Sequence, residues 1–520
     1  MKTTKKLVSL LLALVMVFAL AVSVSAATVT NQTTHSYDAY QIFSGTQAAG
    51  DPALGDVAWG TGINPEAFLN ALKADNRFGE GDANIFASCT SAANVAAVLG
   101  GYTDKSDVAQ AFANVAAQHL TAIKTAIASD ANSVDLPAGY YLLVDTTDVS
   151  GGSDARNTAL LQVTNNGDIT IEKKYNVPSV DKNVTDSDGN KGEAADYSIG
   201  SDVPFTLTGT LPSNYDDYET YFYQFNDTLS SGLDYNKDAT VYVVNGDTKT
   251  DVTSSFRITK GTDNENNPTL TITCQDLKAI SGVTITKDSK IVVEYTAKLT
   301  AGAEIGTPGN SNKVSVTYSN DPNHSGSGTP STGTTPEDEV LVFTYELDVT
   351  KVDGKNTETK LANAEFKLKN AAGKWVTVDA NSKVTGWVDT EADGSTLTTD
   401  TSGLVKIIGL DAGTYYLKET KAPAGYNLLD SEIKIVISAT LNKSEDNPAL
   451  TALTITVNDG NSADGNLETG IVATDVQNNQ GATLPETGGM GTTLFYIVGG
   501  ILVLAAVVLF VTKRRMSAEK

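Results

Sequence analysis

Leu347-Asp-Val-Thr-Lys351 and Tyr415-Tyr-Leu-Lys-Glu419 alternate side chains with a period of two, the repeat of a strand buried on one face. In each, the apolar face also carries an ionisable group. Lys351 lies with Leu347 and Val349, and Glu419 lies with Tyr415 and Leu417. In Thr474-Asp-Val-Gln-Asn478 the same parity sets Asn478 beside Val476. Strand periodicity thus predicts one lysine, one carboxyl and one amide pointing into a single core, the lysine and the amide on its first and last strands. A lone buried charge is costly, so such groups are paired or neutralised.

These three groups together have a chemistry. A desolvated lysine loses its proton readily and becomes a nucleophile. A carboxyl in an apolar core keeps its proton and donates a hydrogen bond to a carbonyl. Over an asparagine amide they promote attack of the amine on the amide carbon. Ammonia leaves and a Lys–Asn isopeptide bond remains. The expected bond joins Lys351 to Asn478, with Glu419 as the acid.

The pattern extends outward. Val241-Tyr-Val-Val-Asn-Gly246, Lys290-Ile-Val-Val-Glu-Tyr295 and Leu453-Thr-Ile-Thr-Val-Asn-Asp-Gly460 are short alternating runs closed by turn residues. Many such runs predict an all-β chain of tandem immunoglobulin-like sandwiches. Helical spacing is confined to 92–99 and 108–128, which predicts helical insertions in the first domain. The middle region repeats the buried-charge logic. Lys182 shares a face with Val180 and Val184, Asp227 with Tyr223, Phe225 and Leu229, and Asn312 with Val314, Val316 and Tyr318. A Lys182–Asn312 bond with Asp227 as acid is expected, although Asn310 and Asn320 share the parity of Asn312. Asp186-Ser-Asp-Gly-Asn190 with Glu193 lacks the third spaced carboxylate of a calcium loop and reads as a polar turn.

The segments Leu347-Asp-Val-Thr-Lys-Val-Asp353 and Ala412-Gly-Thr-Tyr-Tyr-Leu-Lys-Glu-Thr-Lys-Ala-Pro-Ala-Gly-Tyr426 resemble the first strand and E-box of collagen-adhesin B-type (Cna-B) domains. Phe225-Asn-Asp-Thr-Leu-Ser-Ser-Gly-Leu233 resembles the acid-bearing stretch of their A-type (Cna-A) sandwiches. Tyr37-Asp-Ala-Tyr-Gln-Ile-Phe-Ser-Gly45, with Gly55-Asp-Val-Ala-Trp-Gly60, is similar to the N-terminal domain of major pilins from sortase-built pili. That resemblance implies a lysine at the end of the first domain's last strand, to which a pilus sortase joins the next subunit. In Ile169-Thr-Ile-Glu-Lys-Lys-Tyr175 the register implies Lys174. Lys173 stands where the family has a proline and is the alternative.

The two ends agree with export and wall attachment. Lys2, Lys5 and Lys6, an apolar stretch over 7–22 and Val24-Ser25-Ala26 read as a signal peptide over 1–26. Leu484-Pro485-Glu486-Thr487-Gly488, an uncharged span over 494–512 and Lys513-Arg514-Arg515 follow one another in 484–520. This order resembles the sortase sorting signal, with cleavage between Thr487 and Gly488. Three domains are expected between the ends, over 27–174, 175–345 and 346–481.

The formal charge of −25 argues against nucleic acid as a partner. Cys89 and Cys274 offer no disulfide framework. His35, His119 and His324 have no metal-ligand spacing, and no G-x-S-x-G elbow occurs, so neither metal, cofactor nor turnover enzyme is expected. The resemblance implies a pilus shaft subunit whose partners are class C and housekeeping sortases, identical pilin subunits and peptidoglycan. The competing reading is an adhesin, singly anchored or at a pilus tip, that binds host matrix or mucosal glycans.

Overall fold

The computed structural model describes residues 26–46, 53–103, 106–164, 167–172, 176–322, 331–444, 447–481 and 491–516. Lys173, Lys174, the signal peptide up to residue 25 and the pentapeptide Leu484 to Gly488 lie outside them. The described residues form an all-β chain of sandwiches, each built from two facing sheets.

In the first sandwich the strands are β1 (Ala26–Asn31), β2 (Tyr37–Thr46), β3 (Gly55–Trp59), β4 (Thr125–Ile127), β5 (Asn132–Pro137), β6 (Gly139–Asp145), β7 (Thr158–Val163) and β8 (Ile169–Ile171). One sheet has the order β5-β1-β8, and the other β3-β2-β6-β7 with β4 added to β2. Helices Pro65–Ala74, Ala92–Leu99 and Asp107–Ala117 form an insertion between β3 and β4. Their Phe68, Leu72, Val95 and Phe112 pack on Phe43 and Leu142 of the sheet.

The helix expected over 108–128 is shorter than its alanine content suggests. It stops at Ala117, and Thr125–Ile127 pairs instead with Tyr37, Asp38 and Ala39 of β2. Cross-strand pairing outweighs local propensity there. Helix Pro65–Ala74 was not anticipated, although Asn64 caps it and Pro65 opens it, both helix-start signals.

The second sandwich contains β9 (Val180–Thr185), β10 (Lys191–Gly192), β11 (Ala194–Asp196), β12 (Asp202–Gly209), β13 (Tyr223–Leu229), β14 (Leu233–Tyr235), β15 (Thr240–Asn245), β16 (Thr248–Asp251), β17 (Arg257–Thr262), β18 (Pro268–Cys274), β19 (Lys290–Leu299), β20 (Asn310–Ser319), β21 (Thr332–Thr334) and β22 (Asp338–Phe343). Its sheets run β10-β9-β12-β19-β15-β16 and β11-β22-β20-β13-β18-β17. Along β13 burial alternates strictly, so Tyr223, Phe225, Asp227 and Leu229 all face the core. Asp186 behaves as a turn residue. Its Oδ1 accepts from the backbone N–H of Asp188 and Asn190.

The third sandwich contains β23 (Tyr345–Asp353), β24 (Glu365–Asn370), β25 (Trp375–Val378), β26 (Val384–Val388), β27 (Leu397–Thr398), β28 (Leu404–Leu410), β29 (Gly413–Lys421), β30 (Ile433–Asn442), β31 (Ala449–Val457), β32 (Ser462–Asp464) and β33 (Ile471–Asn478). A sheet of order β28-β23-β33 faces one of order β26-β25-β24-β29-β30-β31-β32.

The apolar core runs without a break from the second sandwich into the third. Two glycines make the close approach possible. A Cβ on Gly306 would lie 2.3 Å from the backbone nitrogen of Gly470, and one on Gly470 would lie 2.5 Å from that of Gly306. Polar ties flank the joint: Ser198 Oγ donates to Asp411 Oδ1 at 2.7 Å, and Lys443 Nζ reaches Asp186 Oδ2 at 2.7 Å. Near the C-terminus, helix Gly491–Met516 holds an apolar, outward-facing run over Phe495–Arg514. Twenty residues at 1.5 Å rise match a bilayer core of about 30 Å.

Candidate functional site

The third sandwich brings Lys351, Glu419 and Asn478 into contact. Lys351 on β23 and Asn478 on β33 occupy adjacent parallel strands, in the register Lys351↔Val476 and Asp353↔Asn478. Glu419 comes from β29 in the facing sheet. Lys351 Nζ donates to Asn478 Oδ1 at 2.5 Å. Asn478 Nδ2 donates to Glu419 Oε1 and Oε2 at 2.9 and 3.1 Å, and Nζ lies 3.3 Å from Oε1. The Leu429 N–H also donates to Oε2, which holds the carboxyl in place. The ring of Phe366 lies beneath, its centroid 5.5 Å from Nζ. The side chains of Lys351 and Glu419 are 0% exposed. Burial pulls the lysine pKa down, with Glu419 opposing it, so the neutral and nucleophilic amine is favoured relative to water.

In the second sandwich the three expected groups come from opposite sheets. Lys182 (β9) lies on one sheet, and Asp227 (β13) and Asn312 (β20) lie on the other. Lys182 Nζ donates to Asp227 Oδ2 at 2.8 Å, and both side chains are 0% exposed. Burial lowers the pKa of Lys182 and raises that of Asp227, so both move towards their neutral forms. Asn312 joins through a residue that strand periodicity did not single out. Tyr295, on β19, accepts from Asn312 Nδ2 at 2.7 Å and donates to Asp227 Oδ2 at 2.7 Å. An inward tyrosine on an apolar strand ordinarily reads as core, so no local signal marks its hydroxyl.

The other two asparagines of the same parity are engaged elsewhere. Asn310 Nδ2 donates to the carbonyls of Glu304 and Val342, and its Oδ1 accepts from Glu304 N. Asn320 Nδ2 donates to the carbonyls of Val149 and Asp154 in the first sandwich. It is therefore part of the joint between sandwiches, beside the Arg156–Asp321 ion pair at 2.8 Å.

Among the described residues of the first sandwich the buried ionisable cluster is of a different kind. His35 is buried, with Nδ1 2.6 Å from Asp145 Oδ2 and Nε2 2.9 Å from Asp154 Oδ2. The hydrogen bond to Asp145 is the largest influence on its pKa, and the balance lies above the ordinary histidine value. Burial pushes the Tyr37 hydroxyl up to about 12, and the two carboxylates act in the same direction. A pKa raised on folding makes the protonated histidine stabilising. Its contribution is complete below the unfolded value of about 6.5 and disappears as pH rises through the folded value. First-sandwich melting temperature is thus expected to fall as pH rises above about 6.5, and His35→Gln to flatten that slope. An equally steep slope in the variant would rule the histidine out.

Two family signatures match the chain. The SpaA prealbumin-like fold domain covers residues 345–469, and the LPXTG cell wall anchor motif covers 476–517. The trypsin-resistant surface T6 protein of Streptococcus pyogenes serotype M6 is 26% identical over 418 residues, spanning 66% of this chain and 70% of that one. Fimbrial subunit type 1 of Actinomyces viscosus is 28% identical over 396 residues, spanning 68% and 67%. The chain carries an LPXTG cell wall anchor motif and a SpaA-type domain. The solved structure of the T6 backbone pilin of serotype M6 S. pyogenes aligns with 88% of this chain and 99% of its own length, at 18% identity and a TM-score of 0.49. The anchor motif places the chain at the cell-wall surface, and the curated relatives are a surface protein and a fimbrial subunit.

Proposed function

We propose that this chain is the shaft subunit of a covalently polymerised pilus, with sandwiches over residues 27–174, 175–345 and 346–481, the second and third of which crosslink themselves. The single observation that carries the crosslinking is the third site: a fully buried lysine amine 2.5 Å from the carbonyl oxygen of an asparagine whose amide nitrogen is held by a buried carboxyl. Attack of Lys351 Nζ on the Asn478 amide carbon forms one C–N bond and breaks another. Glu419 touches both nitrogens, so it can take the amine proton and return one to the departing ammonia. Lys182, Asp227 and Asn312 react in the same sense. Each reaction happens once, so the chain is its own substrate and has no turnover.

Assembly uses the end of the first sandwich and the C-terminal sorting signal. A class C sortase cuts between Thr487 and Gly488, holds the chain as an acyl-enzyme through Thr487, and passes it to Lys174 of a second subunit. A housekeeping sortase transfers the last acyl group to peptidoglycan. Replacing Leu484 and Pro485 by alanine is expected to remove wall-bound protein and leave it in the membrane or the medium. Cell fractionation checks this, and undiminished wall attachment would refute the anchoring route.

A further inference from the structure

We propose that Tyr295 is a catalytic residue of the second sandwich, relaying a proton from Asp227 to the departing nitrogen of Asn312. This rests on the crosslinking function proposed above. The two sites differ in what touches the leaving amide. In the third sandwich the carboxyl does so itself, because Glu419 Oε1 and Oε2 both accept from Asn478 Nδ2. In the second sandwich the carboxyl is an aspartate, one methylene shorter, and its hydrogen bonds run to Lys182 and Tyr295. The Tyr295 hydroxyl takes the place of the longer acid. It lies 2.7 Å from Asn312 Nδ2, 2.7 Å from Asp227 Oδ2 and 3.3 Å from Lys182 Nζ, so it touches both reacting nitrogens and the acid.

The phenol is held for this task. Phe205 stacks on its ring at a centroid distance of 5.4 Å, and Tyr235 meets it edge-on at 5.7 Å. Burial keeps the hydroxyl protonated, with Asp227 acting in the same direction. Asp227 Oδ1 and Asn312 Oδ1 are both buried without a hydrogen-bond partner. A proton on the Asp227 carboxyl turns one of these orphaned acceptors into a donor.

The steps balance. Lys182, as the neutral amine, adds to the Asn312 amide carbon. That carbon becomes tetrahedral, and Nδ2 gains a lone pair. The hydrogen bond between Nδ2 and the phenol then reverses: the phenol proton moves to Nδ2 while the Asp227 carboxyl proton moves to the Tyr295 oxygen. The bond from the carbon to Nδ2 breaks and ammonia leaves. The Asp227 carboxylate takes the surplus proton from the new amide nitrogen of Lys182. Tyrosine and aspartic acid end as they began, and the products are one isopeptide bond and one ammonia.

The test follows both crosslinks in full-length protein made by cell-free synthesis, with peptide mapping by mass spectrometry over time. In Tyr295→Phe, formation of the Lys182–Asn312 bond is expected to slow about 100-fold or more, the range of a lost general acid. The Lys351–Asn478 bond in the same molecules keeps its wild-type rate and serves as the internal control. Asp227→Glu added to Tyr295→Phe is expected to recover much of the rate, because the longer acid can reach Nδ2 directly. A residue that only supports the fold would give no such rescue. If Tyr295→Phe crosslinks the second sandwich at the wild-type rate, the relay is wrong while the crosslinking function stands. If wild-type protein loses no ammonia at either site, the underlying function fails instead. Should limited proteolysis show the single variant misfolded, the double variant decides: a crosslink supports the relay, and a folded second sandwich without one overturns it.

Discussion

Glu419→Ala is expected to leave the third sandwich uncrosslinked, one ammonia heavier than the mass calculated for the same variant with the bond formed, and less stable by several kcal/mol. The Lys351–Asn478 bond would close a loop of 127 residues, and loop-closure entropy of that length corresponds to about 5 kcal/mol if the crosslink behaves like a disulfide. A second effect adds to it. Without the carboxyl, Lys351 remains buried against Phe366 with no counter-charge, a change that costs about 3–5 kcal/mol unless the amine stays neutral. Burial already lowers the lysine pKa, so neutralisation absorbs much of that second cost and the lost crosslink dominates. At about 2–4 °C per kcal/mol, the melting temperature should drop by roughly 10–20 °C. Intact mass and calorimetry on the same sample check the claim. An alanine variant whose mass still lacks that ammonia would sink it. Asp227→Ala is expected to do the same to the second sandwich while leaving the third crosslinked.

Lys174→Ala is expected to abolish the high-mass ladder of wall extracts and leave a single anchored band. The effect is all-or-none, since each link needs one acceptor amine per subunit and the sorting signal is untouched. The described residues lead up to this point. β8 is an edge strand, in parallel register with β1 through Val29↔Ile169 and Asn31↔Ile171. Gln32 N donates to Ile171 O, so the strand is tied down to its last residue. An edge strand has one unpaired side, which suits an approach by an enzyme. Immunoblots of cell-wall digests give the readout. A normal ladder in Lys174→Ala, with loss in Lys173→Ala, would move the role one residue. A normal ladder in both would refute acceptor chemistry at this strand.

The positions of the two proposed crosslinks bear on how a fibre would carry load. In the third sandwich the lysine and the asparagine sit on its first and last strands, which run parallel and adjacent. Tension entering at one end and leaving at the other would pass through the bond between them and spare the strand-to-strand hydrogen bonds. The continuous core and the Gly306–Gly470 contact join the second and third sandwiches closely. The first is joined to the second largely by polar contacts, among them Asn320 to Val149 and Arg156 to Asp321.

Much of this was legible in the sequence, because strand alternation is a local rule. Parity alone turned Lys182, Asp227, Lys351, Glu419 and Asn478 inward, and the structure buries all five. The sorting signal needs no tertiary context either, since it is an order of segments along the chain. Tertiary structure decided what depends on the distance between elements. Asn310, Asn312 and Asn320 have the same parity on one strand and its end, and only the packing around each gives the first to a loop, the second to Tyr295 and the third to the neighbouring sandwich. The helix over 108–128 gave way at Ala117 because β2 offered Thr125–Ile127 a pairing edge. Tyr295 itself was invisible for the same reason. Its strand reads as core, and only the facing sheet brings Asp227 and Asn312 within hydrogen-bond reach of its hydroxyl.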